Sequence, residues 1–203
     1  MQPFTTLTAP AVPLPMANVD TDQLIPARFM RKSRADGYGA YLLYDVRFNE
    51  EGKPRGLALD DRAYAGAEIL IAGRNFGGGS SREAAVYALA DFGIRCVIAP
   101  SFGDIFTNNA VKNGLLPARV EAEISENLIE AAKSQPGLQI AVDLPNQTIG
   151  LNGKSWPFDV LDNHKAQLTS GQDDIDLTMR HAQEIADWVA FDRARRPWAL
   201  PSR

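Results

Sequence analysis

The chain has 203 residues and a mass of 22.2 kDa, 45% hydrophobic and 23% charged, with 21 Lys and Arg against 25 Asp and Glu for a formal charge of −4. That length corresponds to one or two domains and buries roughly 70% of the unfolded surface, so a core forms without a disulfide or metal staple. One Cys, Cys96, and two His, His164 and His181, exclude an internal disulfide, a CxxC pair and a self-contained zinc or iron–sulfur site, while a pI near 5.2 with no basic run longer than Arg193-Ala194-Arg195-Arg196 argues against a nucleic-acid surface.

Met1 to Leu14 lacks the basic start and apolar run of a signal peptide, and no stretch of about 18 apolar residues offers a membrane span, so a cytoplasmic protein with no membrane partner is expected. Up to about Asp20 the chain is Pro-rich, with Thr5 to Thr8 read as an edge strand and Asn18-Val19-Asp20-Thr21-Asp22 as a polar turn. Leu24 to Phe29 is apolar. Met30 to Gly39 then mixes charged residues with Gly37 and Gly39 and reads as a flexible excursion, after which Tyr41-Leu42-Leu43-Tyr44 returns to apolar character. Asn49 to Asp61, interrupted by Gly52, Pro54 and Gly56, is loop again.

Glu68 to Ala72 and Arg95 to Ala99 are short apolar β-type runs around a segment in which Ala85, Leu89 and Phe92 fall at helical spacing before Gly93, giving strand, helix, strand. Asp104 to Asn113 as a helix, Gly114, and Leu115 to Val120 as a strand repeat that unit, which predicts parallel pairing. Ser125 to Lys133 is a further helix. Leu138 to Leu144 and Gln147 to Leu151 alternate as strands about a Pro145-Asn146 turn, and Asn152-Gly153 turns the chain into Lys154 to Val160. Asp173 or Asp174 caps a last helix to about Arg195, with Ile175, Met179, Ile185 and Trp188 among its apolar positions and Pro197 as its stop. The reading is one α/β domain over residues 1–203 with a helical C-terminal extension from about residue 161.

The chemistry concentrates in Arg74-Asn75-Phe76-Gly77-Gly78-Gly79-Ser80-Ser81-Arg82-Glu83, where three glycines follow a strand and two hydroxyls precede a helix. Glycines let backbone N–H groups approach a ligand closely, a helix N-terminus adds unpaired N–H groups and partial positive charge, and Arg82 adds a two-pronged partner for a carboxylate or phosphate. The same pattern also fits a helix capped by Ser80 or Ser81 with Glu83 closing a capping box. Spacing excludes other motifs: Gly77, Gly79 and Arg82 stand where a dinucleotide fingerprint wants three glycines, no Gly-Lys-Ser/Thr follows for a P-loop, and no Gly lies two residues after Ser80 for a nucleophile elbow. A carboxylate-bearing small ligand fits best.

Asn18-Val19-Asp20-Thr21-Asp22-Gln23-Leu24-Ile25-Pro26, Gly79-Ser80-Ser81-Arg82-Glu83 and Gly114-Leu115-Leu116-Pro117 together resemble the small subunits of 3-isopropylmalate dehydratase, in the aconitase superfamily. The resemblance runs over essentially the whole chain, including Gly39-Ala40 to Phe48 and Asp174-Ile175-Asp176-Leu177-Thr178 to Pro201. It implies a swivelling β/β/α domain like the mobile fourth domain of aconitase, and a separate large subunit that carries a 4Fe–4S cluster, none being bound by this chain. With that partner the family is a hydro-lyase converting 2-isopropylmalate into 3-isopropylmalate by dehydration and rehydration, in leucine biosynthesis.

By the same resemblance Ser80 is the base that takes a proton from carbon, Ser81 and Arg82 hold the carboxylates of a small dicarboxylate substrate, and the departing hydroxyl leaves on cluster iron. Asp22 matches an aspartate near the active site, a turn or cap role being the other reading. Arg28 to Tyr44 corresponds to the substrate-recognition loop, in which Tyr41, Leu42 and Leu43 form either an apolar wall for an isopropyl group or plain core. Arg34 and Arg47 are candidate carboxylate or subunit contacts, or solvated surface. Two further functions stay open: hydration of a smaller diacid such as citraconate or maleate, and a non-catalytic anion-binding or assembly module.

Overall fold

The computed structural model describes residues Met1 to Ala199; Pro201, with which the resembling C-terminal segment closes, lies outside the described residues. In chain order the elements are β1 (Thr6–Leu14), α1 (Thr21–Leu24), α2 (Tyr44–Arg47), β2 (Ile69–Ala72), α3 (Glu83–Phe92), β3 (Cys96–Ala99), α4 (Asp104–Lys112), β4 (Leu116–Arg119), α5 (Ala122–Ser134), β5 (Gln139–Asp143), β6 (Thr148–Leu151), β7 (Lys154–Pro157), α6 (Asp162–Ser170), α7 (Asp174–Met179) and α8 (Ala182–Arg195). The excursion after α1 is a series of short 3-10 turns at Ala27–Arg31, Arg34–Asp36 and Gly39–Tyr41.

The strands form one sheet in the order β4-β3-β2-β1-β5-β6-β7, parallel from β4 to β1 and antiparallel from β1 to β7. The parallel half follows the expected strand–helix–strand repeat. Its strands are buried on both faces, as parallel strands covered by crossover helices must be. Side chains alternate between two cores: Ile69, Ile71, Cys96 and Ile98 share one with Leu128 and Leu168, whereas Leu70, Ala72, Val97 and Ala99 share the other with Val86, Leu89 and Phe106.

The Thr5 to Thr8 edge strand is corrected: β1 is longer and stands in the middle of the sheet, with Val12 opposite Leu70 on one side and Leu7 opposite Val142 on the other. Its prolines signalled an edge because proline cannot donate to a ladder. The structure accommodates them by stagger. Pro10 turns its carbonyl to the Glu68 N–H just ahead of β2, and Ala11 makes the last bond to the β5 side, at Leu138, so that Pro13 faces past the end of that strand.

The final helix is also corrected, into two pieces. Asp173 caps α7 in a capping box with Asp176, and the backbone leaves helical geometry at His181 (φ −99, ψ 20) before α8. Contacts divide the chain into Met1–Gly171 and a unit beginning at Gln172. Helix α6, placed in the extension by the sequence reading, belongs to the first body, where the Leu168 carbonyl accepts the Phe4 N–H and the Leu168 side chain is buried. In the second unit Ile175, Met179, Ile185 and Trp188 are exposed. No helix among the described residues is long and apolar enough to cross a membrane.

Candidate functional site

In a parallel sheet, loops leaving the C-terminal ends of adjacent strands are the usual place for a ligand. Here the loops after β1, β2 and β3 interlock. The segment after β2 carries the three glycines, and on one side it is laced to the segment after β1: Asn18 N–H donates to Arg74 O (2.8 Å), Gly77 N–H to Val19 O (2.7 Å) and Thr21 N–H to Gly78 O (3.0 Å). The Thr21 hydroxyl, on a residue only 2% exposed, donates to the carbonyl of Ser80 at 2.9 Å. On the other side it is laced to the segment after β3, where Ser101 accepts Asn75 N–H on its hydroxyl (2.8 Å) and Phe76 N–H on its carbonyl (3.0 Å).

The turn needs glycine for a definite reason at Gly77. Its φ is +72°, and a Cβ there would lie 2.2 Å from the ring of Phe106. The chain then rises to an exposed Ser80-Ser81 pair whose hydroxyls bond to no described residue, and no described residue accepts the N–H of Gly79, Ser80 or Ser81. The alternative reading of these serines as caps falls. Helix α3 begins at Glu83 with Arg82 as N-cap and no side-chain cap, and Glu83 accepts from Asn113 (2.9 Å) instead of reaching back. Ser80 and Ser81 therefore stand ahead of the helix, presented on the turn.

Arg82 forms an ion pair with Asp22; its side chain is 19% exposed against 55% for the aspartate. The cap reading of Asp22 falls as well, because the capping box of α1 belongs to Asp20 and Gln23, which leaves Asp22 in the first turn to face Arg82. Four expected residues thus come together: Asp22, Ser80, Ser81 and Arg82. Thr21 and Ser101, which hold the turn, were not legible in the sequence, since each acts across a large separation in the chain and its own neighbours carry no signal of it.

The remaining expected residues lie elsewhere. Leu42 and Leu43 are fully buried in the core with Leu24, Val86 and Leu89, so they form no open wall for a ligand. Leu43 enters left-handed backbone geometry (φ 50) to donate to Leu24 O, and the buried Arg47 donates to Leu42 O, which turns this apolar run inward. Stacked Phe29 and Tyr41, 4.3 Å between centroids, remain on its partly exposed side, with the Arg28 guanidinium 4.5 Å from the centre of the Phe29 ring. Arg34 pairs with Asp91 (2.5 Å) and packs over Tyr87. Asp91 lies near the far end of α3, roughly 13 Å along the axis from Arg82 at 1.5 Å per residue, so Arg34 ties the loop to that helix rather than joining the serines. Arg47 is no surface contact either: it is paired with Asp60 at 2.5 Å.

Past Ser101 and Phe102 a cleft of about 570 Å³ opens, lined also by Asp104, Thr107, Arg119 and His164. Burial pushes the His164 imidazole below its ordinary pKa, so it is the neutral form that sits there. Cys96 is buried within β3, where burial pushes its thiol pKa up, and among the described residues no three His, Cys, Asp or Glu gather as a metal site. These residues do not fit an iron–sulfur cluster, whose cysteine ligands bind as thiolates.

The family model of the aconitase C-terminal domain matches residues 1–123, and a second model, LeuD_N, matches residues 126–162. Curated relatives align over nearly the whole chain. The 3-isopropylmalate dehydratase small subunit of Rhodospirillum centenum is 48% identical over 98% of this chain and 100% of its own, and that of Paramagnetospirillum magneticum is 46% identical over the same shares. The chain belongs to the 3-isopropylmalate dehydratase small-subunit family. A crystal structure of 3-isopropylmalate dehydratase from Methanocaldococcus jannaschii superimposes with a TM-score of 0.64, covering 90% of this chain and 98% of that one at 23% identity, a likeness of fold. The aconitase-type fold expected from the sequence is therefore the observed one, and the aconitase-domain match takes in Asp22, Thr21 and the whole Gly77–Arg82 turn of this family member.

Proposed function

We propose that the chain works as the small subunit of 3-isopropylmalate dehydratase in the cytoplasm, with Met1–Gly171 as the swivelling domain and the helices from Gln172 as its extension. It lends Ser80, Ser81 and Arg82 to an active site completed by a large subunit, and the pair interconverts 2-isopropylmalate and 3-isopropylmalate in leucine biosynthesis. One observation carries this reading: an exposed serine stands on a turn whose Gly79, Ser80 and Ser81 N–H groups meet no acceptor among the described residues, beside a partly buried arginine.

A serine hydroxyl is far too weakly acidic to be ionised at neutral pH, so a serine acting as base needs its alkoxide stabilised by fixed donors. The Gly79, Ser80 and Ser81 N–H groups, which meet no acceptor among the described residues, and the nearby guanidinium are donors of that kind. Ser80 Oγ then takes the proton from carbon, the C–H electron pair forms the double bond, and the neighbouring hydroxyl leaves with its own bonding pair, which a Lewis acid on the large subunit would accept. Hydration at the other carbon returns the proton from the same oxygen. Asp22 holds the Arg82 guanidinium until a substrate carboxylate takes over its two-pronged face. Among the described residues no ligand set gathers for the cluster implied by this family, and we assign that cluster to the large subunit.

Arg82→Lys tests the carboxylate role. It raises KM for 2-isopropylmalate by about tenfold and lowers kcat, because lysine keeps the charge but loses the flat two-pronged geometry; unchanged kinetics would remove Arg82 from the site. The function itself is tested by assaying the purified chain alone and with its cognate large subunit. Alone, it binds no iron and turns over nothing; together, 2-isopropylmalate is converted. Turnover of citraconate or maleate in its place overturns the substrate, and anion binding without any turnover marks a non-catalytic module.

A further inference from the structure

We infer that Gly103 and Phe106 are positioning residues for the Gly77–Ser80 turn, aiming the Ser80 hydroxyl and the turn's N–H groups from below. The inference rests on the proposal that Ser80 reacts with substrate. Gly103 immediately precedes α4 with φ −68 and ψ 137, a conformation open to any residue, so backbone freedom does not explain a glycine there. What does is contact. A Cβ at Gly103 would sit 2.6 Å from Gly77 O and 3.1 Å from Gly78 Cα, both backbone atoms of the turn, while Gly103 N–H donates to Phe76 O at 2.9 Å.

Phe106 completes this floor. It is buried in the first turn of α4, its ring lies against Gly77, and it packs edge-on to Phe76 (5.4 Å, 80°) and parallel to Phe102 (6.2 Å, 7°). Phe76 runs directly into Gly77, so the rings grip the chain one residue before the turn starts. Downstream the hold is an ion pair, Arg82 with the half-exposed Asp22, and α3 starts only at Glu83 without a side-chain cap. Together with the Val19 and Thr21 contacts and the Arg82–Asp22 pair described above, the segment Ser101–Phe106 sets where Ser80 points.

The experiment uses the two-subunit enzyme with 2-isopropylmalate. In Gly103→Ala the added methyl must push the turn by several tenths of an ångström or more, and displacement of a reacting group by about 1 Å costs as much as 10²-fold. The expected result is a kcat lower by about tenfold or more with KM within about threefold. The acid limb of the kcat–pH profile moves to higher pH, since displaced donors stabilise the alkoxide less. Gly150→Ala, where a Cβ meets nothing closer than 3.7 Å, leaves both unchanged.

A folded Gly103→Ala enzyme with wild-type kcat and pH profile overturns the inference. If that variant does not fold, Phe106→Leu is read the same way, and loss of folding in both overturns it too, since the pair would then hold the fold and not aim the turn. Failure of the underlying reading looks different. It appears as absent turnover in the wild-type pair, or as wild-type turnover in Ser80→Ala.

Discussion

Ser80→Ala in the two-subunit enzyme lowers kcat for 2-isopropylmalate by on the order of 10²-fold or more, while the thermal stability of the chain stays at the wild-type value. The two halves of this expectation come from the same geometry. The Ser80 side chain is exposed, its hydroxyl bonds to no described residue, and it is not the cap of α3. Removing it therefore forfeits no cap, which elsewhere costs about 1 kcal/mol. The contact that ties this residue to the fold runs from the Thr21 hydroxyl to its backbone carbonyl, which alanine keeps. Turnover per folded complex and a melting curve decide the matter. Near-native turnover with a lowered melting temperature would make Ser80 a structural residue.

Leu42→Ala behaves in the opposite way. It lowers the stability of the chain by about 2–5 kcal/mol, the range for emptying a leucine site in a packed core, and leaves the preference for 2-isopropylmalate over a methyl-bearing analogue unchanged. Leu42 is fully buried among Leu24, Val86 and Leu89, and its backbone carbonyl is held by the buried guanidinium of Arg47. A leucine touching the isopropyl group would lose roughly 1–3 kcal/mol of contact felt by the branched substrate alone. The specificity ratio would then fall about tenfold or more at unchanged stability. Denaturant midpoints and the ratio of the two kcat/KM values separate these outcomes, and a falling ratio without destabilisation would move Leu42 from core to substrate wall.

Most of the fold was legible in local patterns. Short apolar β-type runs such as Ile69–Ala72 and Cys96–Ala99, separated by a helix ending at Gly93, carry their own evidence, because hydrophobic period and helix stops act within a few residues. The hairpin at Asn152-Gly153 is of the same kind, each residue supplying a positive φ that the turn requires. The Gly77–Arg82 turn and its pairing with the Asn18–Pro26 motif as marks of one family were readable too, since residue types and order are all that a motif comprises.

Tertiary structure alone decided the rest. Whether β1 is an edge or the middle of the sheet depends on strands about 60 and 130 residues away, and a proline reads as an edge signal until the stagger of its neighbours is known. Whether Leu42 faces substrate or core, and whether Arg34 meets a carboxylate or Asp91, are questions about partners far off in the chain. Local sequence constrains a residue's backbone and its apolar or polar character, but the partner of an arginine or the room beneath a glycine is set by packing. The Ser80 turn shows both sides. Its composition announced a ligand-facing loop, and its aim comes from Thr21, Gly103 and Phe106, which lie next to it only in the folded chain.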